Sequence, residues 1–381
     1  MTAGEEQRVT PRELFFDLVF VFAFTQVVML LVHDPTLAGI GHGVLVLAAL
    51  WWAWVLYASL TNVVNPEDEL VGAALLVALF ATFIAALVVP GVFENEGALF
   101  GAAFLVVCAT QIALYAFAAR ENQELFGAVL RLAPWSLLAA TLILVAGFID
   151  GAGTWLWLGA LALAYVGAAL SGSTGWQLHP SHLTERYGLV LIIALGEAFI
   201  SIGSGTAART IGLPEITAAV LGLVVATSFW LAYFDFFSIR GERILEELQG
   251  AHRAAFARDA YVYAHFPMIV GIVLFAFAMK NVLAHPGREL HPAAAFALFG
   301  GSALYLLTYS AIRTRFEHRL TLSLGRFVAA VVLLAVLPLA TMVPAISALA
   351  LVAAVWLTLH AYELVWWRDA RAGSRSALAS S

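Results

Sequence analysis

Glu197 stands out in the sequence because it lies in the middle of a long apolar run. A charged side chain near the centre of a bilayer costs about 2.5–3.5 kcal/mol on insertion scales, so it needs a partner or a function. Ser201 follows at i+4 and continues a polar stripe on the same helix face. A carboxylate at that depth is expected to be paired or protonated. Such a group suits substrate binding or the coupling of transport to proton movement.

A second pair of carboxylates opens the first apolar run. Glu13 and Asp17 are four residues apart, so a helix places them on one face. Two interpretations fit this pattern. The pair is either a structural one, bound to Arg12 or to a neighbouring helix, or it forms the cytoplasmic mouth of a pathway.

A third group of polar residues lies at the start of the ninth apolar run. His265 is a candidate proton relay or hydrogen-bond partner for a carboxylate. Tyr263 is either part of the pathway or an aromatic residue at the membrane interface. Pro267 favours a kink because it lacks an N–H. Asp235, at the end of the eighth run, either joins the pathway or reaches the interface by snorkelling.

Other kinds of chemistry lack support in the sequence. His179 and His182 have no carboxylate or cysteine at helical spacing, so we predict no metal site there. We find no glycine-rich phosphate loop, no His-Glu-x-x-His motif and no Ser/His/Asp arrangement. The sequence therefore predicts a protein that is not an enzyme and that binds no cofactor or metal.

The composition identifies the class of protein. Of the 381 residues, 62% are hydrophobic and only 12% are charged, with a mean hydropathy of +0.91. A soluble domain has about 45–50% apolar and about 25% charged residues, so this chain is a polytopic membrane protein with the lipid bilayer as its partner. The net charge of −6 and the lack of a basic face argue against nucleic-acid binding.

An apolar run needs roughly 20 residues to cross the hydrocarbon core as a helix. With that criterion we predict an all-α protein of about 12 transmembrane helices. The predicted spans are 13–32, 39–60, 70–89, 97–119, 126–148, 154–172, 186–205, 215–238, 260–282, 293–312, 325–342 and 346–367.

The distribution of arginine predicts the orientation. With the N-terminus inside, thirteen arginines fall in inside segments, and two, Arg209 and Arg288, fall in outside loops. This bias follows the positive-inside rule and places both termini in the cytoplasm. The N-terminus lacks the basic region and cleavage site of a signal peptide, so we expect the first span to be retained.

A weak internal repeat relates the two halves of the sequence. Span 7 aligns with span 1 at an offset of 171, which places Glu197 over Gln26, and spans 2 and 8 share a Trp-x-x-Tyr motif. Two six-helix halves of this kind would run parallel, as in several transporters. The predicted organisation is a tail at 1–12, halves at 13–172 and 186–367, a connecting loop at 173–185, a cytoplasmic loop at 239–259 and a tail at 368–381.

Three segments resemble signatures of the bacterial low temperature requirement protein A family. They are TPRELFFDLVFVFAF at 10–24, ERYGLVLIIALGE at 185–197 and YVYAHFPMIVG at 261–271. The resemblance implies a multi-pass inner-membrane protein of bacteria, named after a growth phenotype in the cold and without an agreed substrate. It marks as signature positions Glu13, Asp17, Glu185, Arg186, Glu197, Tyr263 and His265.

A second resemblance concerns the first span alone. The residues from Phe16 to Thr25 resemble the first-helix signature of the duplicated six-helix potassium channels of endolysosomes and bacteria, in which that helix lines the pore. The second half departs from this pattern, because Gly188 replaces the aspartate and Glu197 lies deeper. A channel tolerates an apolar constriction, whereas a buried carboxylate is better suited to coupled transport.

We therefore expect a proton- or ion-coupled transporter of a small solute or ion, in which Glu197 is the coupling or substrate group. The first alternative is a cation channel with spans 1 and 7 lining the pore. The second is a non-transporting membrane protein that supports growth in the cold. Oligomerisation is compatible with all three.

Overall fold

The computed structural model describes residues 9–149, 153–205, 211–317 and 323–379. Within these ranges, the side chains at 235, 236, 238, 239, 315–317 and 366–379 are not described. All regular elements of the described chain are helices, as predicted. The α-helices are α1 (Pro11–His33), α2 (Leu37–Thr61), α3 (Glu69–Leu87), α4 (Gly97–Ala118), α5 (Gln123–Ala146), α6 (Gly153–Leu170), α7 (Pro180–Gly205), α8 (Leu213–Ala232), α9 (Ser238–Glu247), α10 (Gly250–Ala257), α11 (Ala264–Ala284), α12 (Pro292–Glu317), α13 (Leu324–Val336) and α14 (Ala345–Ala379).

The prediction of about 12 spans is confirmed. Twelve segments of the described chain are helical, long and apolar enough to cross a membrane. One of them, Gly250–Ala284, joins α10 and α11 through a π-helical turn at Arg258–Tyr263. Another, Leu324–Thr341, ends in a 3₁₀ turn at Leu337–Thr341.

The start of α7 differs from the predicted boundary at 186. This helix begins at Pro180, so the last part of the predicted connecting loop at 173–185 is helical. Proline is favoured at a helix start, because its missing N–H would have no partner there. The early start places His182 and Arg186 on the helix itself.

The predicted cytoplasmic loop at 239–259 is also largely helical. It contains α9 and α10, and α10 begins at Gly250, whose φ of +53° suits glycine. Leu245 is fully buried, whereas Arg243 and Glu246 are exposed, so α9 is amphipathic.

The chain divides into two compact units. Unit 1 comprises Met1–Glu197 and Ser238–Phe266, and unit 2 comprises Ala198–Phe237 and Pro267–Ser381. In unit 1, α1 packs on α2 and α3, and helices α3 to α6 pack on one another in chain order. In unit 2, α8 packs on α14 and α12 packs on α13. The parallel six-helix repeat stays a prediction.

Candidate functional site

The first turn of α1 is joined to α7 through Glu13. Glu13 accepts hydrogen bonds from the Thr10 backbone N–H (2.9 Å) and hydroxyl (3.0 Å) through Oε2, which closes the capping box of α1. Its Oε1 lies 3.0 Å from Nε2 of His182. Both side chains are buried, at 1% and 0% exposure. The carboxylate therefore caps its own helix and binds the neighbouring one.

One turn further along, Asp17 binds Arg186. Asp17 Oδ1 accepts hydrogen bonds from Arg186 Nη2 (3.0 Å) and Trp54 Nε1 (3.0 Å). Arg186 Nη1 lies 2.9 Å from the other carboxylate oxygen, and its Nε lies 3.9 Å from Glu13. The guanidinium also lies 5.6 Å from the centre of the Trp54 ring. The contact of Nη1 is an ion pair without hydrogen-bond geometry, so the pair has one charge-assisted hydrogen bond, from Nη2 to Oδ1.

The hydrogen bonds of His182 are those of a neutral imidazole. Asn62 Oδ1 accepts the backbone N–H of His179, so the Asn62 amide nitrogen is left to face His182 Nδ1, at 3.2 Å. Because that nitrogen can only donate, Nδ1 of His182 accepts and Nε2 carries the proton that is donated to Glu13. Partial desolvation, together with the nearby positive charge of Arg253, lowers the pKa of His179.

Glu13, Asp17, His182 and Arg186 form what we call the α1–α7 cluster. All four side chains are at most 1% exposed. Two carboxyl groups face one guanidinium and a neutral imidazole, so the cluster has one negative charge in excess when both carboxyl groups are ionised. Burial of an uncompensated charge is costly. The uptake of one proton would make the cluster neutral.

Glu197 makes a third link between the same two helices. It is fully buried, and it accepts a hydrogen bond from the hydroxyl of Thr25. Glu13 and Asp17 each bind a residue of α7 that lies 169 positions later in the chain, and Thr25 binds one that lies 172 positions later. A near-constant offset means that the two helices run parallel, side by side.

His265 lies in an aromatic group beside this helix pair. Its ring stacks on Tyr261 with centroids 5.1 Å apart and meets the Tyr187 ring edge-on at 5.0 Å. Tyr187 in turn contacts Trp54, which binds Asp17. The Nδ1 atom of His265 lies 2.9 Å from the carbonyl oxygen of Ala260, within the π-helical turn.

The remaining predicted site residues lie elsewhere. The hydroxyl of Tyr263 donates to the Tyr165 carbonyl oxygen (2.9 Å), so it joins two segments of unit 1. Ser201 is buried in unit 2. Asp235 falls in a π-helical turn at Tyr233–Phe237, and its side chain lies outside the described residues.

Arg12 does not bind the carboxylate beside it in sequence. It donates to the carbonyl oxygens of Pro66 (2.8 Å) and Asp68 (3.3 Å) and lies 3.5 Å from Glu67. The sequence suggested that Glu13 binds either Arg12 or a neighbouring helix. In the structure it binds a neighbouring helix, through His182 of α7.

Several partners in the site were missed by sequence reasoning. His182 was considered only as a metal ligand, and Arg186 only as a signature position. The sequence did contain a signal for these contacts. His182 and Arg186 are four residues apart, as are Glu13 and Asp17, so one basic pair matches one acidic pair in spacing. Asn62 had no such signal.

A separate ion pair lies in unit 2 and was also missed. Arg326 binds Glu363 through two nitrogens, and its guanidinium lies 3.8 Å from the centre of the Tyr309 ring. Among the described residues, no group of three or more His, Cys, Asp or Glu side chains could hold a metal ion.

Comparisons with known proteins agree with this architecture. The family model of the bacterial low temperature requirement A protein (LtrA) matches residues 8–361. A protein of Rhizobium meliloti (strain 1021), described as uncharacterized, is 30% identical over 308 residues, which cover 77% of this chain and 74% of that protein. No solved structure is significantly similar to the chain. The chain therefore belongs to the bacterial low temperature requirement A family.

Proposed function

We propose that this protein is a proton-coupled transporter of a small solute and that the α1–α7 cluster binds the coupling proton. The observation that carries this proposal is a buried cluster in which two carboxyl groups and an imidazole surround a single guanidinium. Polar groups of this kind inside a membrane are typical of proton relays in pumps and transporters. A purely structural ion pair would need one carboxylate for the one guanidinium.

The proton binds at Nδ1 of His182. In the neutral state this atom accepts a hydrogen bond from the Asn62 amide, at 3.2 Å. Protonation would place two donors against each other, so Asn62 would have to move. Asn62 also binds the backbone of His179, next to the start of α7. Proton binding is thereby coupled to the position of α7, which is the kind of bistable element that a transport cycle needs.

Glu197 is the second proton site on the same helix pair. Asp17 and Thr25 are eight residues apart on α1, which corresponds to roughly 12 Å along the helix axis. This distance is too long for direct proton transfer. Transfer between the α1–α7 cluster and Glu197 would therefore require water or a movement of α1 against α7.

We further propose that the protein lies in the bacterial inner membrane with both termini in the cytoplasm. The support is the predicted excess of arginine in inside segments. In this orientation the α1–α7 cluster lies near the cytoplasmic end of α1, and Glu197 lies deeper in the membrane.

The proposal is tested with the purified protein in liposomes, by a survey of solute uptake and electrical current with and without a pH gradient. We expect uptake of some solute that depends on the gradient and that Glu197→Gln abolishes. The matched control is Glu121→Gln, because Glu121 is 86% exposed. A selective cation current without any pH dependence would instead establish the channel alternative. A protein that moves neither solute nor ions would refute transport.

A further inference from the structure

A groove in unit 1 runs along the first turns of α1 and α3. Its volume is about 480 Å³, and its walls include Arg12, Phe15 and Phe16 of α1 and six residues of α3 between Glu69 and Leu79. The two helices pack on each other, and both begin at the same end of the groove. The groove therefore leads from one surface of the membrane towards its middle.

The walls of the groove are apolar and open to the surroundings. Phe15 is 55% exposed and Leu76 is 47% exposed, although both line the groove. From Glu69 to Leu79, α3 advances about 15 Å along its axis. This length is half of a hydrocarbon core of about 30 Å. The groove is therefore as long as the acyl region of one lipid leaflet, and an acyl chain fits along it.

Arg12 lies across the open end of the groove. A Cβ atom at Gly72 would come within 2.5 Å of Arg12 Nη1, so the glycine allows the guanidinium to lie directly against α3. Nη1 donates to the carbonyl oxygens of Pro66 (2.8 Å) and Asp68 (3.3 Å), and Nε lies 3.5 Å from Glu67. Nη2 makes no hydrogen bond to a described residue. The guanidinium is thus held in place with one nitrogen available to a phosphate oxygen.

Glu69 supplies a negative charge at the same end of the groove. Its side chain is exposed in the first turn of α3, and it makes no hydrogen bond or ion pair with a described residue. Glu67 and Asp68 precede it and are exposed as well, so three carboxylates stand beside the one guanidinium of Arg12. This excess repels a headgroup that is only anionic and attracts one that also carries a positive charge.

We propose that this groove binds one phospholipid whose headgroup carries a phosphate and a primary ammonium, as in phosphatidylethanolamine. The phosphate accepts a hydrogen bond from Arg12 Nη2, the ammonium binds Glu69, and an acyl chain lies against Phe15 and Leu76. A primary ammonium is favoured over a quaternary one because it can donate hydrogen bonds to the carboxylate. This inference goes beyond the proposed transport function, because lipid binding requires neither a proton nor a transported solute.

The test is native mass spectrometry of the full-length protein, released from nanodiscs that contain equal amounts of phosphatidylethanolamine, phosphatidylcholine and phosphatidylglycerol with the same acyl chains. Glu69→Gln removes the charge that faces the ammonium, and Arg12→Gln removes the phosphate donor. One matched control is Glu124→Gln, which makes the same change in the first turn of α5. The other is Arg120→Gln, which removes an exposed arginine that lies 3.6 Å from Glu121.

A third variant tests the groove itself. Ala73 lines the groove and is exposed, so Ala73→Phe places a ring where the acyl chain would lie. Its control is Ala113→Phe, at an exposed position on α4 outside the groove. Because Ala73→Phe keeps both charged side chains, it separates the acyl contacts from those of the headgroup.

We expect the wild type and the three controls to retain phosphatidylethanolamine about tenfold more than the other two lipids, as a hydrogen bond between charged groups would produce. Glu69→Gln should retain phosphatidylethanolamine and phosphatidylcholine equally. Arg12→Gln and Ala73→Phe should each lower the retained phosphatidylethanolamine about tenfold. Equal retention of the three lipids by the wild type would overturn the proposal. So would a folded Glu69→Gln variant with the wild-type preference, or the absence of bound lipid.

Discussion

His182 Nε2 lies 3.0 Å from Glu13 Oε1, and both side chains are fully shielded from solvent. The bond joins two helices whose bonded residues are 169 positions apart in the chain. It also involves the carboxylate that caps α1 through Thr10. A change in the protonation of this pair would therefore act on the first turn of one helix and on the start of the other.

Asp17→Asn should destabilise the protein, because it removes the carboxylate that lies closest to the buried Arg186 guanidinium, at 2.9 Å, although Glu13 still balances the Arg186 charge. Breaking a buried ion pair from one side costs about 3–5 kcal/mol. We expect a value at the lower end, since Glu13 remains 3.9 Å from Arg186. The measurement is the apparent unfolding temperature of the purified protein in detergent.

Two further variants make this result specific. Combining Asp17→Asn with Arg186→Gln removes both charges and should recover part of the lost stability. The control Glu67→Gln breaks the exposed pair with Arg12 and should change stability by less than about 1 kcal/mol. If Asp17→Asn unfolds at the wild-type temperature, the buried pair does not have the energetic role assigned to it.

Asn62→Asp should hold His182 in the protonated state. It replaces the amide donor that faces Nδ1, at 3.2 Å, with a carboxylate that prefers an N–H⁺ partner. We expect the pH dependence of transport to shift to higher pH or to be lost. Asn65→Asp makes the same chemical change at an exposed position and serves as the control. Identical pH profiles for the two variants would exclude His182 as the proton site.

Thr25→Val should impair transport without preventing it. The substitution removes the hydroxyl that donates to Glu197 and nearly keeps the side-chain volume. We therefore expect slower coupled uptake than in the wild type, whereas Glu197→Gln should show none. Thr141→Val is a suitable control, because the Thr141 hydroxyl binds only within its own helix, at an exposed position. Uptake by Thr25→Val at the wild-type rate would show that this hydrogen bond is dispensable.

His179 should make stability depend on pH on the acid side. Because its pKa is lowered in the folded protein, the unfolded chain binds more protons below about pH 6.5. The contribution of neutral His179 to the free energy of unfolding is therefore fully present above that pH, and it is lost as the pH falls through the lowered pKa. His179→Gln should reduce the drop in apparent unfolding temperature between about pH 7.5 and about pH 5. An unchanged drop would contradict this assignment.

The spans could be predicted from the sequence because apolar length alone determines them. The shared face of Glu13 and Asp17 follows from helical spacing in the same way. The spacing of Ile244, Leu245 and Leu248 likewise favours a helix with one apolar face in this part of the 239–259 loop.

The partners of these residues could not be predicted in the same way. To expect Glu13 beside His182, one must know that α1 lies against α7, which is a contact between residues 169 positions apart. The role of the Asn62 amide is harder still to predict, because nothing in its local sequence distinguishes it from a loop residue. Its role depends on the early start of α7 at Pro180, which brings His182 into the helix.

The proposed transport depends on the exchange of a proton by the α1–α7 cluster at His182. The most direct measurement is nitrogen NMR of protein labelled with ¹⁵N-histidine in lipid, recorded from about pH 8 to about pH 5, with His182→Gln to assign the signal. We expect a neutral ring protonated at Nε2 at high pH, and a doubly protonated ring as the pH falls. A ring that stays neutral throughout, or that carries its proton on Nδ1 at high pH, would contradict this expectation.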